Sequence, residues 1–147
     1  MTPPRAPRHV RRTVSAAERE HVAGRLAGVL ADEDVVVFAY LFGSFADGRP
    51  FEDVDVAVFL DPARAGGLDT LTFRLDLTGR LEAAAGVPVD LILLHEADLG
   101  LRGTALRGRL LMSRDEAQRI AYLEETSLAL MDMAALRRQA LRDVLGG

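Results

Sequence analysis

Three aspartates stand where apolar strands have no structural need of them. Asp53 and Asp55 alternate with valines in FEDVDVAVFL, and Asp90 interrupts VPVDLILL. Side chains of a strand alternate between faces, so Asp53 and Asp55 leave the same face about 6–7 Å apart. Carboxylates that close raise each other's pKa unless a cation lies between them. A divalent ion removes that cost, and an all-oxygen donor set favours Mg²⁺ or Mn²⁺ over zinc. A buried, unpaired aspartate is expensive, so Asp90 is expected to share the same cation from a neighbouring strand. Acids gathered from adjacent strands can hold two divalent ions around a nucleoside triphosphate. The plainer alternative makes Asp53 a turn residue, Asp55 a strand-end acid and Asp90 a solvated edge residue. The three together, after a Gly-Ser turn, favour the metal.

That turn is Gly43-Ser44, at the end of VVVFAYLF. A strand that passes through glycine into a helix or turn offers backbone N–H groups to an anion, and the Ser44 hydroxyl adds a donor. The same dipeptide is also ordinary turn chemistry. As a nucleophile Ser44 is unconvincing, because no G-x-S-x-G surrounds it and no histidine is near. His9, His21 and His95 are scattered without metal-ligand spacing. Cysteine is absent, which removes thiol nucleophiles, disulfides and Cys-ligated zinc. All 18 basic residues are arginines. Without lysine there is no P-loop lysine and no Schiff base, so phosphate charge must be met by arginine, backbone N–H groups or metal.

These residues need a scaffold, and 147 residues, 49% of them hydrophobic, suffice for one core. Residues 1–14 hold three prolines and four arginines and read as a flexible basic arm. A basic contact for a partner is the sharper alternative. Residues 15–147 read as one domain. Ser15 and Glu18 have capping-box spacing ahead of a helix to about residue 31. Residues 35–42 form a strand buried on both faces, 45–52 a loop, and 54–60 a second strand. Leu68 to Ala85 is a helix whose apolar positions are Leu71, Leu75, Leu77, Leu81 and Ala85, stopped by Gly86. Residues 87–94 are a third strand and 100–112 a short helix plus a turn or short strand. From about residue 115 a long helical pattern carries Ile120, Leu123, Leu128, Met131, Ala134, Leu141 and Val144 on more than one face. An internal core face, or a docking surface, would account for that width. The expected class is α/β (α+β), a small mixed sheet flanked by helices with a helical C-terminus. No apolar run reaches the roughly 18 residues a bilayer requires, and the N-terminus lacks the apolar stretch of a secretory signal. The cytoplasm is the default compartment. A net charge of -4 disfavours direct nucleic-acid binding.

FGSFADGRPFEDVDVAVF followed by VPVDLILL resembles the nucleotidyltransferase superfamily of DNA polymerase β in its minimal bacterial form, the MNT proteins. The similarity runs from about residue 20 to 115. The resemblance implies the nucleotidyltransferase fold, triphosphate binding by Gly43 and Ser44, and metal binding by Asp53, Asp55 and Asp90. It also gives Asp90 a part in activating the attacking hydroxyl. ATP is the implied substrate and Mg²⁺ (or Mn²⁺) the implied cofactor. The implied partner is a HEPN-family RNase toxin, which an MNT antitoxin neutralises by transferring AMP to a tyrosine. Two departures stand out. The loop before Asp53 is short for the family, and Asp47 stands where the family commonly has arginine in G-S-x-A-R-G. Arg49 is the candidate to compensate. These departures keep a non-catalytic antitoxin in view, and a small-molecule nucleotidyltransferase is the third alternative.

Overall fold

The computed structural model describes residues 10–146. Helix α1 (Ala16–Ala31) opens on Ser15, whose Oγ accepts from the Glu18 amide at 3.1 Å. The chain then enters strand β1 (Val36–Phe42), passes through the one-turn helix α2 (Gly43–Ala46) and returns as β2 (Val54–Leu60). A short helix α3 (Pro62–Ala65) and a long one, α4 (Thr70–Ala85), lead to β3 (Val89–Leu93). A 3-10 turn, α5 (Leu99–Leu106), β4 (Arg109–Ser113) and α6 (Glu116–Val144) complete it. Gly86 ends α4 at φ 74°, the left-handed conformation glycine adopts without steric cost.

The four strands lie in the order β3-β2-β1-β4. β1 pairs antiparallel with β2 and β4, while β2 and β3 run parallel. The sheet is therefore mixed, as the sequence implied. β1 is buried along its whole length because helices cover both faces. On one face Val22, Leu26 and Leu30 of α1 and Phe73, Leu77 and Leu81 of α4 pack against Val36, Leu41, Val56 and Leu91. On the other, Phe38, Tyr40, Phe42 and Ala57 meet Ala105 of α5 and Tyr122 of α6. Arg119 ties α6 to the sheet by donating to the Tyr40 hydroxyl at 2.7 Å.

Three expectations change. Leu71 and Leu75 are 66% and 65% exposed, so the core face of α4 keeps the expected Leu77, Leu81 and Ala85 and adds Phe73. Residues 45–52 are not a plain loop: they begin with the last two residues of α2, and Phe45 and Phe51 are buried edge to face at 4.9 Å between ring centroids. Helix α6 is unbroken, and its apolar breadth is not explained by an internal core, since Ile120, Leu128, Met131, Leu141 and Val144 are all exposed. Most of the proline- and arginine-rich arm lies outside the described residues. At its inner end Arg12 and Phe51 exchange backbone hydrogen bonds of 2.8 and 3.0 Å. Among the described residues no helix is long and apolar enough to cross a membrane.

Candidate active site

The parallel pairing of β2 with β3 sets Asp55 directly opposite Asp90. Asp53 precedes β2 by one residue and shares the face of Asp55. One carboxylate oxygen from each of Asp53, Asp55 and Asp90 lies within 4.8 Å of the others. The start of β3 is fixed by two bonds, Val54 N–H to the Pro88 carbonyl and Val89 N–H to Glu82 Oε2, both at 2.9 Å. Asp53 and Asp55 are partly buried, whereas Asp90 is exposed, on the face of edge strand β3 opposite to its buried Val89, Leu91 and Leu93. The desolvation argument for Asp90 therefore does not hold. Its strand register, rather than its burial, places it in the cluster.

Burial, and then the charges of Asp53 and Asp90, push the Asp55 carboxyl up from 3.8 to about 7. Half-buried acids stacked this closely need a cation. Two oxygens on one Mg²⁺, at about 2.0–2.1 Å from it, are separated by roughly 3–4 Å. The cluster lies near that span, and its all-oxygen donors suit Mg²⁺ or Mn²⁺. The residues fit the metal.

Gly43 serves two purposes at this site. Its φ of +81° is one that a side chain opposes, and a Cβ there would overlap Asp55 Oδ2 and lie 3.1 Å from Cγ. Phe42, in register with Asp55 across the β1–β2 ladder, delivers Gly43 to that place. Ser44 follows, partly exposed, in the first turn of α2, where backbone N–H groups have no partner within the helix. The chain then folds back over α2: Asp47 N–H donates to the Gly43 carbonyl at 3.1 Å and Arg49 N–H to that of Ser44 at 3.0 Å.

Arg49 does not join the carboxylate cluster. Its Nη2 pairs with Asp47 Oδ2 at 3.0 Å, with both side chains more than half exposed. The departure at Asp47 is thus accompanied by a local counter-charge. A second guanidinium, that of Arg19 on α1, lies against Gly48. Nothing in the sequence singled out Arg19, since it sits in a helix far from the loop it touches. The buried pair Phe45 and Phe51 was likewise missed. The signal was two aromatics in a polar stretch, too short for periodicity to register.

A mixed sheet that gathers three carboxylates beside a glycine turn is the architecture of a nucleotidyltransferase. Residues 25–117 match the polymerase beta nucleotidyltransferase family, and the chain belongs to that family. Among solved structures, it is similar to a chain of the complex between a tri-AMPylated Shewanella oneidensis HEPN toxin and MNT antitoxin. That match is 22% identical, covers 86% of this chain and 98% of the other, and has a TM-score of 0.64. A toxin–antitoxin complex with AMP-PNP matches at 24% identity, 84% and 98% coverage and a TM-score of 0.65. The MntA–HepT toxin–antitoxin complex matches at 22% identity, 86% and 98% coverage and a TM-score of 0.63. At these identities the likeness is one of fold. No curated protein matches the chain.

Proposed function

We propose that this protein is the antitoxin of a HEPN–MNT pair and transfers AMP from ATP to a tyrosine of its cognate toxin. The observation that carries the reading is the in-register Asp55–Asp90 pair, with Asp53 beside it, in a chain of the polymerase β nucleotidyltransferase family. Structural neighbours include an MNT complex with an AMPylated toxin and a complex with the ATP analogue AMP-PNP. One solved neighbour is a double mutant in which two aspartates two positions apart are replaced by glutamate, the same spacing as Asp53 and Asp55.

Each residue has a definite task in this reading. Asp53, Asp55 and Asp90 hold the divalent cation, Mg²⁺ by preference. Gly43 lets the backbone approach the triphosphate, and Ser44 donates to it through N–H and hydroxyl groups. The acceptor oxygen attacks the α-phosphorus in line, the bond to the bridging oxygen breaks, and pyrophosphate departs. Asp90, exposed on the edge strand, faces the incoming hydroxyl and helps draw off its proton. When bound, the metal supplies charge neutralisation and a lower pKa at the attacking oxygen. Exposed Leu128, Met131, Leu141 and Val144 on α6 leave an apolar surface of the kind a protein partner covers. A reaction that spends ATP on a ribonuclease target fits the cytoplasm.

Incubation with α-labelled ATP, Mg²⁺ and the toxin should label the toxin. Failure of the wild type to do so, or equal labelling by Asp53→Ala/Asp55→Ala, overturns the reading. The exposed carboxylate of Asp47 favours a second possibility, neutralisation by occlusion alone. Tight toxin binding with no Mg²⁺-ATP binding in calorimetry decides for it.

A further inference from the structure

The loop that follows Gly43-Ser44 lacks the arginine its family commonly carries and has Asp47 in its place. The chain has no lysine to substitute. A triphosphate approaching this site meets Asp47 together with the carboxylates of the metal cluster, so cationic side chains must come from elsewhere.

Two guanidinium groups converge on the 47–49 turn. Arg49 is held over α2 by its backbone bond to the Ser44 carbonyl, and its side chain is held by Asp47 at 3.0 Å. The other group comes from α1. A Cβ added to Gly48 would lie 3.1 Å from Arg19 Nη1, 3.4 Å from Cζ and 3.5 Å from Nη2. The Arg19 guanidinium thus occupies the space that a side chain at Gly48 would need. Gly48 also has φ +75°, so the residue that makes the turn is the one that admits the arginine. Arg19 is partly buried, and among the described residues no ion pair or hydrogen bond holds its guanidinium. Glu20, next in the chain, is engaged with Arg109 at 2.5 Å. Arg109, and to a lesser degree the charge of Arg19, lower the Glu20 carboxyl, but among the described residues no ion pair ties up the Arg19 guanidinium, which keeps its donors for an anion.

We propose that Arg19 and Arg49 bind the β- and γ-phosphates of the nucleotide, in place of the arginine absent from position 47. Asp47 positions Arg49 until a phosphate takes over its guanidinium. Guanidinium groups suit this task because their planar forks match phosphate oxygens. The inference rests on the proposed use of ATP, but it concerns binding and not transfer.

Calorimetry with Mg²⁺-ATP and with AMP tests it, on proteins whose melting temperatures have been recorded. Arg19→Gln and Arg49→Gln should each weaken ATP binding about tenfold, the lower range for a charge-assisted hydrogen bond. AMP, which lacks the outer phosphates, should bind all three proteins alike. Asp47→Asn should tighten ATP binding several-fold, and that gain should vanish in an Arg49→Gln background. Where Arg19→Gln melts below the wild type, Arg19→Lys carries the test, with a smaller loss for ATP. Wild-type ATP affinity in a stably folded Arg19→Gln or Arg19→Lys, or equal losses for ATP and AMP, overturns the proposal. ATP binding of the expected pattern without labelling of the toxin sinks the transfer reading alone. No ATP binding by the wild type sinks both.

Discussion

Replacing Asp55 by asparagine should make the metal-free protein more stable while abolishing its chemistry. The side chain keeps its shape and loses a charge that the fold holds at a cost. The folded carboxyl titrates near 7 against 3.8 for an unperturbed one. A rise of about three units corresponds to a ceiling of about 4 kcal/mol. Asp55 is only partly buried, and solvent screening lowers the realised cost to about 1–2 kcal/mol. The sign follows from proton counting. Below pH 3.8 both folded and unfolded states hold the proton and the cost is absent. As pH rises towards 7 the unfolded chain gives up a proton that the folded chain retains, so stability falls; above about 7 the full cost is present. For a chain of this size, the stabilised variant should melt about 3–6 °C above the wild type at pH 8. Thermal melts in EDTA from pH 4 to 8.5 should show the gap opening as pH rises. Mn²⁺ should then raise the wild-type midpoint at pH 8 and leave Asp55→Asn unmoved. A variant less stable than wild type at pH 8 without metal, or a gap that ignores pH, refutes the reasoning.

Gly43→Ala combines a φ of +81° with a Cβ that overlaps Asp55 Oδ2, so it should lose about 1–2 kcal/mol from the backbone conformation alone. It should also displace the Asp55 carboxylate and weaken Mn²⁺ binding; a Mn²⁺ titration matching wild type would contradict the contact. Leu128, Met131 and Leu141 are exposed along α6, and their joint replacement by serine should move stability by only about 0.5 kcal/mol per site. Toxin capture in co-purification should be lost. Retention of the complex would place the partner on another face.

The carboxylate cluster was legible because its members sit on or beside strands. In VDVAVFL and VPVDLILL the apolar background is so uniform that each aspartate stands out, and strand alternation fixes the relation of Asp53 to Asp55. What alternation cannot supply is strand order. The exposure of Asp90 depends on which face of edge strand β3 the α-helices leave uncovered, a fact of topology that an apolar run does not reveal. The helices failed for a different reason. Leucine is common on both faces of a helix, so Leu71 and Leu75 were counted with the true core positions Leu77, Leu81 and Ala85, while the single aromatic Phe73 was passed over. In α6 an apolar residue is the same letter whether it meets the sheet or solvent. Arg19 was invisible because its contact with Gly48 joins segments that only the packing of α1 brings together.

Gly43 connects the two halves of the site more closely than their separate motifs suggest. Its Cα rests against the Asp55 side chain, and its carbonyl anchors the turn that carries Asp47 and Arg49. The charge on Asp55 is costly without a cation, as its raised pKa shows, and two guanidinium groups converge on the phosphate loop, one of them shared with exposed Asp47. Metal alone removes that cost, and triphosphate alone would add to it. A nucleotide that arrives with its cation engages both at once. Binding of the two should therefore be cooperative, with the rigid contact between Gly43 and Asp55 as the mechanical link. The β3 edge makes the metal-free state tolerable in the meantime, because Asp90 there remains in water.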